Sequence, residues 1–286
     1  MRPMNCFLIT MCAIVGIMVD NGKDTFIQWP VLILIFVGGW ALSAAAMVLN
    51  DFFDIEIDKI NDPQRPIPSG QIKPKQALIF GIVLIVIGLV VGVSIDIYQW
   101  FVWNNKFIIS SLTAVICAIM LSTYTKYMKR FSVIGNMAVS IGVWLGFLYG
   151  DLLFNFKISA LPETMAAGAF LLNFGREIAK GIIDIEGDRK NNVNTVATIL
   201  GPRKTALVAS SMIIFLAIPV ILIPVMLQIS SYIYLIAICL CISIALFASI
   251  WLIINQEIKT VKKIKTIILY LMLLCLISFT LEAFFG

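Results

Sequence analysis

Nine of the 16 acidic residues of this chain fall in two short stretches: Asp51, Asp54, Glu56, Asp58 and Asp62, then Glu177, Asp184, Glu186 and Asp188. The stretches match each other. Asp54-Ile55-Glu56-Ile57-Asp58-Lys59-Ile60-Asn61 aligns with Asp184-Ile185-Glu186-Gly187-Asp188-Arg189-Lys190-Asn191 as D-I-E-x-D-[KR]-x-N, 130 residues further on. On a helix, Asn50, Asp54 and Asp58 share a face with Asp51, and Arg176, Lys180, Asp184 and Asp188 form a similar stripe, because residues three and four apart are neighbours. Carboxylates so placed repel by a few tenths of a kcal/mol per pair, and a cation reverses that sign. Mg²⁺ takes oxygen ligands at about 2.0–2.1 Å, typically one or two carboxylates completed by water and substrate phosphate. Two such faces with Lys and Arg interleaved read as a site for a magnesium-bridged diphosphate rather than as ordinary solvated charge, since they share motif, face and side. There is no histidine, so Ser/His/Asp and Cys/His catalysis and histidine metal sites are excluded. Six cysteines lie in apolar runs without Cys-x-x-Cys spacing and read as packing residues.

The elements that position these faces are membrane spans. Of 286 residues, 60% are hydrophobic and 13% charged, against about 45–50% and about 25% in a soluble domain. Charge-free apolar stretches fall near 4–19, 29–49, 76–95, 107–123, 131–150, 161–175 and 264–281. The uncharged interval between Thr205 and Gln256 fits two more, turned near Pro224, Gln228, Ser230 and Ser231. The expected fold is an all-α bundle of nine transmembrane helices around a central cavity, one domain over 1–286. Spans two to five and six to nine form a four-helix pseudo-repeat. The first stretch, from Arg2 to Val19, lacks a small-x-small cleavage site and reads as a retained span.

With nine spans, 18 of the 21 Lys and Arg fall on one side; only Lys23, Lys106 and Lys157 fall on the other. The positive-inside rule then predicts a multi-pass cell-membrane protein with N-terminus and acidic loops cytoplasmic and the C-terminus outside. An ionised Asp at the bilayer centre costs roughly 2.5–3.5 kcal/mol, so the acidic faces must meet water or a polar cavity. Gly142, Gly146 and Gly150 in the fifth span, and Gly88 and Gly92 in the third, read as ridges for close helix packing.

The chain resembles the intramembrane prenyltransferases of the UbiA superfamily. Asn50-Asp51-Phe52-Phe53-Asp54-Ile55-Glu56-Ile57-Asp58 is similar to the family's N-D-x-x-D-x-x-x-D motif and Asp184 to Asp188 to its D-x-x-x-D motif, while Arg65-Pro66-Ile67-Pro68-Ser69-Gly70 matches its R-P-x-P-S-G segment. Arg2-Pro3-Met4-Asn5-Cys6 and Asn173-Phe174-Gly175-Arg176-Glu177-Ile178 look most like the archaeal branch, which makes digeranylgeranylglyceryl phosphate. One departure is the loop after span four, where many members carry Tyr-x-x-x-Lys. Here Tyr124 is followed by Lys126, Lys129 and Arg130 at other spacings.

The resemblance implies transfer of a geranylgeranyl group from its diphosphate to geranylgeranylglyceryl phosphate. Asp51, Asp54 and Asp58 would hold one Mg²⁺, and Asp184 and Asp188 a second. Arg65, Lys126, Lys129, Lys180 and Lys190 would complete neutralisation of the leaving group, with Arg176 on the same stripe as Lys180, and Asn50, Asn136 and Asn173 would orient substrate. The implied partners are an isoprenyl diphosphate donor, a lipid-like acceptor and membrane lipid, with no nucleic acid. The alternatives are a prenyltransferase for an aromatic or tetrapyrrole acceptor and, in another class, a secondary transporter. A transporter's ion site usually lies near the midplane, and these carboxylates lie at span ends. A metal-dependent phosphatidyltransferase would show D-G-x-x-A-R, which is absent.

Overall fold

A computed structural model describes residues 3–126, 132–191 and 193–285. Eleven α-helices build it: α1 Pro3–Asn21, α2 Trp29–Phe53, α3 Ile55–Asn61, α4 Pro74–Trp103, α5 Ile109–Lys126, α6 Ser132–Asn155, α7 Ala160–Lys190, α8 Val196–Met212, α9 Ile218–Met226, α10 Tyr232–Ile254 and α11 Ile258–Phe285. Short α3 lies beside the bundle end, and α8 and α9 continue one another, so the described residues form nine long rods, each lying along one expected span. Among the described residues, seven segments are long and apolar enough to cross a membrane. The other two rods are α5, which is shorter, and α7, whose 31 residues carry the second acidic stretch.

Local chemistry sets the breaks. Pro74 begins α4, where the Gln76 side chain accepts from the Lys73 N–H, and Thr195 caps α8 by accepting from the N–H of Thr198. Between α8 and α9 the ladder widens to a π turn over Ile213–Ala217. Pro219 follows; it has no N–H to donate and its ring crowds the carbonyl four residues back. At the end opposite the acidic stretches, Asp96 accepts from the N–H groups of Ser110 and Ser111, and Glu282 from the N–H of Ser231, so these acids cap α5 and α10.

Most of the glycine ridges pack as expected. A Cβ on Gly150 would lie 2.3 Å from the Ala13 carbonyl oxygen, one on Gly146 3.0 Å from Cys12, and one on Gly92 2.9 Å from the Ser110 carbonyl oxygen. Gly142 is different: a Cβ there would meet nothing within 4 Å. It borders the central cavity instead.

Candidate active site

The first acidic stretch is a broken helix. α2 stops at Phe53, Asp54 forms the joint at φ −94° and ψ 7°, and α3 runs on to Asn61. Asn50 Nδ2 donates to Asp54 Oδ2 at 2.8 Å, and both Asp54 and Asp58 are buried. The following Arg-Pro-Ile-Pro-Ser-Gly segment folds into tight turns that return Arg65 to this face. Ser69 N–H donates to the Arg65 carbonyl, Ile67 packs against Val48 and Ala77, and Gly70 takes φ +79°, where a side chain is strained. Arg65 Nη1 pairs with Asp51 at 3.2 Å and with Asp58, and its Nε lies 3.5 Å from Asp62. Burial, opposed by Arg65 and reinforced by Asp54, pushes the Asp58 carboxyl up to about 6, while its carboxylate neighbours raise the Arg65 guanidinium against the effect of burial.

The second stretch rides on α7 without a break. Its joint to the first is Asn61, whose Oδ1 accepts from the Gly187 N–H at 3.0 Å and whose Nδ2 donates to the Asp184 carbonyl at 3.3 Å. A Cβ on Gly187 would lie 2.5 Å from that amide, so the contact requires glycine. The two motifs therefore meet at one end of the bundle and border one polar pocket of about 80 Å³, lined by Asn50, Asp54, Asp58, Arg65, Asn136, Lys180, Asp184 and Asp188.

Beside this pocket lies a larger chamber of about 220 Å³, apolar on most sides, with Leu42, Met47, Met120, Val139 and Gly142 among its walls. Asn50, Asp51, Asn173, Arg176, Glu177 and Lys180 line its polar side. Asn50, Glu177 and Lys180 border both spaces. Asn173 is pinned by its amide donating to Ser140 Oγ at 3.1 Å.

Of the expected site residues, Lys190 is set apart. It is exposed and pairs with Glu186 at 2.9 Å, because both lie on the face of α7 turned away from Asp184 and Asp188. Lys129 and the side chains of Tyr124 and Lys126 lie outside the described residues. Sequence reasoning passed over two residues. Glu177 is buried between two cations, and its position in the Arg176–Lys180 stripe of a lipid-spanning helix is the signal that could have found it. Asn61 stands inside the repeated pattern, yet only coordinates reveal that it crosses to α7.

Among the described residues no three acidic side chains are gathered tightly enough to hold an ion by themselves. The donor set still suits Mg²⁺ bridged to a substrate. It is all oxygen, and Mg²⁺ bound beside phosphates takes only one or two carboxylates per ion. Arg65 brings positive charge to Asp51, Asp58 and Asp62.

A helical membrane bundle with two facing aspartate stretches beside an apolar chamber has the chemistry to take a lipid that carries phosphate. The chain belongs to the UbiA prenyltransferase family, which it matches over residues 9–281. It is 35% identical to a digeranylgeranylglyceryl phosphate synthase of Saccharolobus solfataricus over 209 residues, 72% of this chain and 69% of that one. A solved structure of a digeranylgeranylglyceryl phosphate synthase superposes with TM-score 0.71 at 30% identity, covering 99% of this chain and 95% of the other. A UbiA homologue of Archaeoglobus fulgidus, solved with DMAPP and Mg²⁺, shares the fold at TM-score 0.64 and 14% identity, with 96% and 95% covered.

Proposed function

We propose that this protein transfers a geranylgeranyl group from geranylgeranyl diphosphate to geranylgeranylglyceryl phosphate, giving digeranylgeranylglyceryl phosphate. The observation that carries the reading is the meeting of both aspartate stretches around one polar pocket that shares its wall with an apolar chamber. Similarity to synthases of that product supports the choice of substrates.

Two Mg²⁺ ions are assigned, one to Asp51, Asp54 and Asp58 and one to Asp184 and Asp188. Bound there with the diphosphate, they would supply Lewis-acid stabilisation of the leaving group. The chain's own residues do the rest. Asn50 orients Asp54, and Asn61 holds α3 against α7 so that the two stretches keep one spacing. Arg65 and Lys180 border the pocket and add fixed positive charge where negative charge grows on the diphosphate. Asn136 and Asn173 orient substrate from α6 and α7. The apolar wall keeps water from the allylic cation as the C–O bond weakens. The lysine and arginine asymmetry of the loops supports placing this end in the cytoplasm, with the C-terminus outside.

The test is incubation of the purified protein in liposomes with Mg²⁺, geranylgeranyl diphosphate and a panel of geranylgeranylglyceryl phosphate and aromatic acids. Products are identified by mass spectrometry. The diether phosphate is expected, and chelation of Mg²⁺ abolishes it. Exclusive prenylation of an aromatic acid would overturn the acceptor, and full turnover in excess chelator would overturn the metal.

A further inference from the structure

α1 and α2 run antiparallel along one wall of the chamber. Thr10 lies against Gly39, and Cys6 Sγ donates to Met47 Sδ at 3.8 Å. Met47 stands one turn, about 6 Å of helix, inside Asp51 on the same face, and both border the chamber. Asn5 precedes Cys6 and borders the chamber too, so it stands within about one helical turn of Asp51 along the bundle. Most side chains that bring oxygen or nitrogen to this chamber are engaged within the protein. Asn50 holds Asp54, Asp51 pairs with Arg65, Asn173 donates to Ser140, and Arg176, Glu177 and Lys180 pair with one another. The exceptions among the described residues are Asn5 and Ser43, which have no hydrogen-bond partner. Ser43 lies one turn beyond Met47, deeper in the bundle. Half-buried Asn5 is therefore the unengaged polar group at the charged end of the chamber. Its amide leaves a donor and an acceptor unpaired, at a cost that hydrogen bonds from a ligand remove.

Resting on the proposed reaction, a diphosphate held by Asp51 and Asp54 turns its ester carbon, C1, into the chamber at the level of Asn5. The attacking hydroxyl must meet C1 there. In the proposed acceptor that hydroxyl sits on the carbon beside the one that carries the ether, so a donor and a pure acceptor lie next to each other. One edge of an amide matches that pair, its carbonyl taking the O–H and its NH₂ giving to the ether oxygen. We propose that Asn5 reads this hydroxyl–ether pair and so aims the hydroxyl lone pair at C1. In the step, the hydroxyl oxygen bonds to C1, and the bond from C1 to the diphosphate oxygen breaks with its electron pair leaving on the diphosphate. The hydroxyl proton passes to an oxygen of the departing diphosphate, since an amide is too weak a base to keep it. Asn5 contributes orientation, and water or an alcohol without the neighbouring ether is held less well.

Steady-state kinetics of the full chain in liposomes test this, with geranylgeranylglyceryl phosphate and an analogue whose ether oxygen is replaced by a methylene. The wild-type protein is expected to show a kcat/KM about tenfold lower for the analogue. Asn5→Leu, close in size and without hydrogen bonds, is expected to lose about 100-fold with the ether acceptor and to treat the two acceptors alike within twofold. Asn5→Asp keeps the shape and loses the NH₂, so it too is expected to stop distinguishing ether from methylene. The donor KM is expected to stay within twofold of wild type in both variants. Calorimetric binding of Mg²⁺ with a non-hydrolysable geranylgeranyl thiolodiphosphate, unchanged in each variant, shows that the site is folded. Were Asn5→Leu not to fold, Asn5→Asp carries the comparison. A mere packing role for Asn5 lowers turnover of both acceptors equally and leaves the ether preference in place, and that result would overturn the proposal. So would a wild-type protein indifferent to the methylene, or a defect confined to the donor KM. Failure of the wild-type protein to prenylate the phosphorylated acceptor at all would strike the substrate assignment, and this proposal with it, before any variant is compared.

Discussion

The two acidic stretches share a sequence pattern and do not share a structure. The first breaks at Asp54 into two helices and carries Arg65 against Asp51 and Asp58. The second stays inside unbroken α7, and Asp184 has no such arginine among the described residues. Their aligned asparagines also diverge. Asn191 bonds back to the Gly187 carbonyl at 2.9 Å and finishes its own helix, whereas Asn61 reaches across to the Gly187 N–H and the Asp184 carbonyl. Where the first stretch has Ile57 the second has Gly187, and the missing side chain is the space Asn61 fills. The two copies of the pattern form a plug and a socket. The helices around them differ likewise. A cavity of about 110 Å³ opens among α1, α2, α4, α5 and α6, while one bordered by α7, α9, α10 and α11 holds about 10 Å³.

If the stretches are unequal parts of one site, neither can replace the other. Asp54→Ala and Asp184→Ala are each expected to lower kcat on the order of 10³-fold, with the melting temperature in detergent little changed. Retention of more than a tenth of wild-type turnover by either variant would show that one stretch suffices, and the comparison would fail.

The plug and socket give the next largest effect. Gly187→Val pushes a side chain into the Asn61 amide, where even a Cβ has only 2.5 Å, and about a 100-fold loss of kcat/KM is expected. Asn61→Ala removes two hydrogen bonds of about 0.5–1.5 kcal/mol each, for about a tenfold loss and a lower melting temperature. Ile57→Gly, the mirror change in the other stretch, is expected to cost much less. Equal losses at Ile57 and Gly187 would mean that the repeat is symmetric after all.

The unequal cavities predict chain-length selection. Gly142 borders both the reaction chamber and the 110 Å³ cavity, and its Cβ direction is open. Gly142→Leu should fill space at the border the two cavities share. About a tenfold loss of kcat/KM is expected for the 20-carbon donor, with a five-carbon allylic diphosphate hardly affected. Equal losses for both donors would assign the cavity to something other than the chain.

How far the sequence could be read follows from which signals are one-dimensional. Hydropathy places the spans, because lipid forces every crossing to be apolar and helical. The spacing of Asn50, Asp54, Asp58 and of Lys180, Asp184, Asp188 brings these residues to one pocket for the same reason, since helical faces are periodic. Gly146 and Gly150 read correctly as packing residues, while Gly142, in register with them, lines a void. Which side of a helix finds a neighbour depends on helices distant in sequence. The same limit hid Asn61, whose contacts cross to α7 and follow no spacing rule, whereas Glu177 stands three residues before Lys180 and was open to one.

Lys190 offers the smallest effect and a check on the periodic reading. It stands two residues beyond Asp188, and loop position alone places it with the cations that neutralise diphosphate. A helix turns about 100° per residue, so six steps from Asp184 carry it to the far side, where it meets Glu186. Both side chains of that pair are more than half exposed, 59% for the lysine and 75% for the glutamate. Such a pair contributes about 0.2–1 kcal/mol at most. Lys190→Ala is therefore expected to leave donor and acceptor KM within twofold of wild type and to shift the melting temperature by little. A tenfold rise in the donor KM would require the end of α7 to turn inward when substrate binds, and the far face of the second stretch would then join the site.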